Sequence, residues 1–251
     1  MTVSNASPTV WFITGANRGI GLGIVQLLAQ RPDTIVIATT RNPAEALELA
    51  ELAQTHTNVH IVKLEVTSDA DHIKALEDIA RIAPTGVDVL LANAGVNPMP
   101  PALALDVPLS QVQAAFDVNT LGPLRAFHTL YPLLKMKTTR KVFFTSSEMG
   151  TFDKLPMAMF PTFAYNLSKL AARYTAMEIA RDLKGEEFTV IPIHPGWVAT
   201  EMGNKGAKLF DLEQAPVSIL ESAGGIIKTI EAATTQDSGR FLNWKGEEVP
   251  L

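Results

Sequence analysis

The chain has 251 residues, 47% of them apolar, a formal net charge of −5 and no cysteine. An acidic balance lacks the clustered Lys and Arg that hold phosphate backbones, which excludes nucleic-acid binding as the main task. The missing thiols exclude disulfides, a cysteine nucleophile and cysteine-based zinc sites, and no apolar run reaches the roughly 20 residues of a membrane span.

The opening MTVSNASPTV lacks a secretion-signal pattern, so the expectation is a soluble cytoplasmic protein. A first strand is expected at VWFIT (10–14), then a helix over 20–30. TIVIATT (34–40) and VHIVKLEV (59–66) are the next strands, each followed by a helix, over 43–54 and 69–82. A fourth strand is VDVLLANA (87–94), and four prolines make NPMPPALALDVP (97–108) a loop. A long helix is expected over 110–135, then KVFFTS (141–146), a helix over 164–184, FTVIPIH (188–194), a helix over 218–232 and a last strand RFLNW (240–244). Most of these strands are near-continuous apolar runs, the pattern of strands covered on both faces. Strand–helix alternation implies right-handed βαβ units. The expected fold class is therefore α/β: one Rossmann domain over the whole chain, with a doubly wound seven-stranded parallel sheet and helices on both faces. Ligands in such sheets bind beyond the carboxyl ends of the strands.

After the first strand comes TGANRGIG (14–21), with glycines at 15, 19 and 21 at a strand-to-helix junction. Glycine permits positive φ and a close backbone approach, and the following helix aims free N–H groups and its positive dipole end at the turn, which suits a pyrophosphate. The spacing differs from G-x-G-x-x-G, and no Gly-Lys-Ser/Thr follows as a P-loop would need. Arg41 lies 20 residues past Gly21, where dinucleotide folds meet the adenosine ribose. An acid there would bond a 2′-hydroxyl and repel a 2′-phosphate. Thr40 and Arg41 instead offer a hydroxyl and a guanidinium able to grip phosphate oxygens, and Arg18 adds a second cation. The expected cofactor is NADP(H). Further on, YNLSK places Tyr165 and Lys169 one helical turn apart on one face. A free tyrosine, with pKa about 10, is a poor acid–base group near neutrality; a nearby ammonium favours the phenolate and is expected to lower that value.

TGANRGIG, NAG (93–95), Asn119 in FDVNTLG, Ser147 in FFTSSEMG, YNLSK and PGWVAT (195–200) stand in the order of the short-chain dehydrogenase/reductase family, and the resemblance covers nearly the whole chain. Within the family the chain is similar to single-domain ketoreductases of the C-factor and norsolorinic acid ketoreductase type. The resemblance implies cofactor binding by Thr14, Gly15, Asn17, Arg18, Gly19, Ile20 and Gly21, by Thr40 and Arg41, and by Glu65 and Val66 beside the adenine, Glu65 standing where Asp is usual. It further implies Asn93, Ala94 and Gly95 along the ribose, with Val198 and Thr200 at the nicotinamide carboxamide; Thr200 can also cap a helix. Catalytic roles fall on Asn119, through a water relaying protons to the lysine, on Ser147, orienting the substrate carbonyl, on Tyr165 as proton donor and on Lys169; Tyr165 and Lys169 also contact the cofactor, the lysine at its ribose. Ser146 is read as structural. No metal is implied.

TFDKLPMAMFPTF (151–163), longer than the family's usual connection, and GNKGAKLFDLEQAP (203–216), read as a mobile segment, are expected to frame a small apolar carbonyl substrate, the first having packing as a local core as its equal alternative. Family members pair through helices near 110–135 and 164–184, so a homodimer or homotetramer is implied. The function expected is NADPH-dependent reduction of a ketone or aldehyde. The alternatives are an NAD-preferring alcohol dehydrogenase and a catalytically silent nucleotide-binding regulator of the same fold.

Overall fold

A computed structural model describes residues 7–153 and 161–250. Seven strands form one sheet in the order β3-β2-β1-β4-β5-β6-β7. They are β1 (Thr9–Ile13), β2 (Thr34–Thr40), β3 (Val59–Lys63), β4 (Val89–Ala92), β5 (Lys141–Thr145), β6 (Thr189–His194) and β7 (Leu242–Asn243). Every pairing is parallel. The order reverses between β1 and β4, where Phe12 is in register with Ile37 on one side and Leu90 on the other; that reversal opens the crevice in which doubly wound sheets hold ligands.

The near-continuous apolar runs follow from helices on both faces. Successive strand side chains point to opposite faces. Trp11, Ile13, Val36, Phe143 and Ile191 pack on one side with α1 (Gly19–Ala29) and α8 (Ile219–Ala232), through Ile24, Leu28, Ile226 and Ile230. Phe12, Ile37, Leu90, Phe144 and Val190 pack on the other with α3 (Asp69–Ile82), α5 (Gly122–Lys135) and α6 (Phe163–Asp182), through Ile79, Leu130, Leu134 and Ala176. Each such side chain contributes about 1.5–3 kcal/mol on burial, so both layers hold the sheet's upper edge fixed.

Four expected elements differ. The helix over 43–54 divides into a 3₁₀ turn, Pro43–Glu45, and α2 (Leu47–Thr55). The helix over 110–135 divides into α4 (Leu109–Phe116) and α5, joined by π-helical residues Asp117–Leu121. The last strand keeps only two residues. The segment 203–216 is not an irregular span: α7 (Glu201–Ala207) occupies its start. Thr200 Oγ1 caps that helix by accepting from Gly203 N at 3.1 Å, Trp197 Nε1 donates to Gly203 O at 3.0 Å, and Asn204 Oδ1 accepts from Ala215 N at 3.0 Å. Those anchors reach it from outside its glycine-rich stretch. The loop at 97–108 is tied to α6 by Phe163 N donating to Ala102 O at 3.2 Å. Residues 154–160 of the substrate-framing stretch at 151–163 lie outside the described residues. Among the described residues no helix is long and apolar enough to cross a membrane.

Candidate active site

The glycine turn is built by close approach. Gly15 and Gly19 have φ of +64° and +56°, a region where a β-carbon is strained. A β-carbon on Gly15 would lie 2.8 Å from the Ala94 Cα, and one on Gly21 2.3 Å from the Gly15 carbonyl oxygen. The strand β4 end locks the turn: Asn93 Nδ2 donates to Thr14 O (3.0 Å) and Gly15 O (3.2 Å), and Ala94 N donates to Thr14 Oγ1 (2.9 Å). From the other side Ala16 N donates to Thr39 O at 2.9 Å. Helix α1 has no acid in its first turn, so its dipole end favours an anion. Asn17 and Ile20 complete the turn, both half-buried.

Gly95 connects this cradle to the chemical groups. A β-carbon there would stand 3.2 Å from Asn119 Oδ1 and 3.3 Å from Lys169 Nζ. Asn119 is fully buried and clamps Val96: Oδ1 accepts from Val96 N and Nδ2 donates to Val96 O, both at 2.8 Å. Its second amide proton goes to Ser168 Oγ at 2.9 Å, and Ser168 donates to Tyr165 O at 2.7 Å. The side chain reaches Val96 because it sits in the π-helical turn, where one extra residue per turn rotates the register.

Lys169, 3% exposed, donates from Nζ to Thr145 O at 2.7 Å. Burial drives its pKa from 10.5 down to about 8. Its Nζ stands 5.8 Å from the centre of the Tyr165 ring. Burial also raises the Tyr165 pKa, against a smaller opposing pull from its hydrogen bond with Ser147. The expected lowering is thus overturned for this state: desolvation of the phenolate outweighs the pull of Ser147. Ser147 Oγ accepts from Met149 N at 3.2 Å. Ser146 Oγ instead donates to Lys169 O at 3.0 Å, which makes it a brace for the helix. Thr145 and Ser168 are partners that sequence motifs leave unassigned, although Ser168 stands inside YNLSK, while Ser146 has the structural place expected of it.

At the carboxyl end of β2, Thr40 is buried and Arg41 exposed; Arg41 has no hydrogen bond or ion pair among the described residues. Glu65 Oε1 accepts from Thr67 N (3.3 Å) and Thr67 Oγ1 (3.2 Å), and Val66 is buried. Opposite the turn, Val198 is buried and its carbonyl accepts from Thr200 N at 2.7 Å. Thr200 Cγ2 would lie 3.1 Å from a β-carbon on Gly19, so PGWVAT closes the crevice over the glycine turn. Arg18 pairs with Glu201, Nη1 to Oε2, at 2.7 Å.

The short chain dehydrogenase profile matches residues 9–208. An uncharacterized oxidoreductase of Schizosaccharomyces pombe is 36% identical over 96% of this chain and 98% of its own. A short chain dehydrogenase of Penicillium aethiopicum is likewise 36% identical, over 96% of this chain and 99% of its own. Among solved structures, the NADPH-bound carbonyl reductase from chicken fatty liver superposes with a TM-score of 0.88 at 29% identity, covering 98% of this chain and 100% of that one. The carbonyl reductase Sniffer of Drosophila melanogaster gives 0.88 at 28% identity, covering 98% and 100%. The chain belongs to the short-chain dehydrogenase family, and its structural neighbours are carbonyl reductases. It is an oxidoreductase of a family that uses a nicotinamide cofactor.

The cradle fits such a cofactor on geometry: its glycines let the turn pack tightly against Ala94, Asn93 and Thr200, which sets it at the N-terminal end of α1, where no acid opposes an anion. Gly21→Ala tests that geometry, since its new methyl meets the Gly15 carbonyl oxygen and the Asn93 amide that locks the turn. The variant is expected to lose nicotinamide-cofactor binding at least a hundredfold and to unfold several degrees earlier, read by calorimetric titration and thermal melting.

Proposed function

We propose that the protein is an NADPH-dependent carbonyl reductase that converts an apolar ketone or aldehyde to an alcohol. The observation that carries the reading is the convergence beyond the glycine turn of Asn119 and Lys169 on either side of Gly95, with the Lys169 ammonium over the Tyr165 ring and Tyr165 hydrogen-bonded to Ser147. A reduced nicotinamide supplies hydride to a carbonyl carbon when bound. Ser147 is suited to orient the carbonyl oxygen and to stabilise charge developing on it. Tyr165 supplies the proton. Burial raises the pKa of that phenol in the ligand-free protein, so it carries its proton at neutral pH. Lys169 offsets the phenolate left after donation, and Asn119 fixes Val96 and so the position of Gly95 beside the lysine. None of the five histidines stands as a base beside Ser147 in the sequence motifs, which argues against a serine nucleophile.

The choice of NADPH rests on Arg41. It follows the end of β2 with no hydrogen bond or ion pair among the described residues, and positions 39 and 40 before it are threonines and not acids. In Arg41→Ala the NADPH dissociation constant is expected to rise ten- to a hundredfold, the loss of one charged phosphate contact, while that of NADH stays within twofold. Equal losses for both cofactors would sink the assignment. The same preparation, assayed for NADPH oxidation over bulky ketones, quinones and aldehydes, tests the substrate class. Efficient NAD-linked alcohol oxidation would favour the dehydrogenase reading instead.

A further inference from the structure

The glycine turn lies between two neighbours. Ala16 N donates to Thr39 O, which sets the turn beside the tip of β2, and Gly19 meets Thr200 at the start of α7. Arg18 falls between these contacts, on extended backbone just before α1. A guanidinium on a four-bond stem can turn to either side from there. In the structure it turns to α7, where Nη1 meets Glu201 Oε2 at 2.7 Å. The other carboxylate oxygen, Oε1, accepts from Lys205 Nζ, also at 2.7 Å. The Arg18 and Glu201 side chains are 69% and 60% exposed. An exposed pair of this kind shifts an equilibrium by only a few-fold, so it can be exchanged for a stronger anion. A phosphate dianion gripped bidentately is such an anion.

We infer that Glu201 is a cofactor-selectivity residue: it competes with the ribose 2′-phosphate for Arg18 and holds the preference for NADPH below what two free arginines would give. This rests on the NADP(H) reading above. Arg41 then carries the discrimination in the wild-type protein, with Arg18 held in reserve by the carboxylate of α7. Glu201→Gln keeps the side-chain length and removes the charge that holds Arg18.

Calorimetric titration of NADPH and of NADH into the ligand-free protein tests this in the wild type, Glu201→Gln, Arg18→Met and the double variant. The expected result is a three- to tenfold lower NADPH dissociation constant in Glu201→Gln, with NADH within twofold. The gain disappears in the double variant and shrinks in 0.5 M salt, as an exposed charge effect should, where the screening length falls to roughly 4 Å. An unchanged NADPH constant, an equal gain for both cofactors, or a gain that survives without Arg18 overturns the inference. The two readings fail separately. Equal wild-type affinities with a selective, Arg18-dependent gain in Glu201→Gln leave the inference standing and remove the NADP(H) preference; a discriminating wild type with an inert Glu201→Gln does the reverse.

Discussion

Replacing Tyr165 by Phe is expected to lower kcat for carbonyl reduction about a thousandfold while leaving the NADPH dissociation constant within twofold. A positioned general acid contributes about 10²–10⁴ in rate, and Phe keeps the ring that packs over Lys169. Only the hydroxyl and its hydrogen bond with Ser147 are removed. Because the phenol is not among the groups that shape the glycine turn, binding and chemistry should separate cleanly. Single-turnover kinetics with fluorescence titration of NADPH would check both halves. Retained turnover would remove Tyr165 as the proton donor, and a wild type that binds NADPH without turning over any carbonyl would be a silent nucleotide-binding regulator.

Lys169 gives the second large effect, and it has two opposite signs. Lys169→Met is expected to lower kcat by at least a hundredfold, since the proton donor loses the cation behind it. Its stability should nonetheless gain on the wild type at neutral pH relative to alkaline pH. In the folded protein the lysine titrates near 8, against 10.5 when free. Above both values it is neutral in either state and burial costs nothing through charge. Below about 8 it is charged in both, and the folded state bears the full penalty, about 3 kcal/mol. Between the two the unfolded chain binds more protons, so wild-type stability rises with pH. Denaturant unfolding at pH 7.5 and 10.5 should therefore show wild type gaining about 3 kcal/mol on Lys169→Met. A difference that stays flat across that window would mean the ammonium is not desolvated as the structure has it.

The fold was legible because its signals are local and repeated. Seven apolar runs alternating with helical periods leave few topologies, and TGANRGIG marks the sheet's reversal point by itself. The strand-end residues of the candidate site could be named from their motifs for the same reason. What could not be read depends on contacts distant in sequence. The helix α7 hides behind Gly203 and Gly206, and its anchors come from Trp197, Thr200 and Ala215. Asn119 carries a low helix propensity, yet nothing in FDVNTLG states that it will clamp Val96, 23 residues before it. The direction of the Tyr165 shift was missed because a motif shows the neighbouring cation and not the desolvation around the phenol. Glu201 escaped notice as an ordinary residue of a helix start.

The π-helical turn at Asp117–Leu121 places an evolutionary constraint on this stretch that composition alone would not show. One residue more or fewer in an exposed loop is usually absorbed at the surface. Within this turn, deleting one residue would remove the extra residue of the π register, and nothing in the local composition would mark the loss. Each residue of an α-helix advances about 100° around the axis, so the deletion would swing α5 against α4, and Asn119 away from Val96, by that angle. The reading frame of this helix is therefore itself part of the candidate site. Among relatives, length in this short interval should be held as strictly as the identity of Asn119.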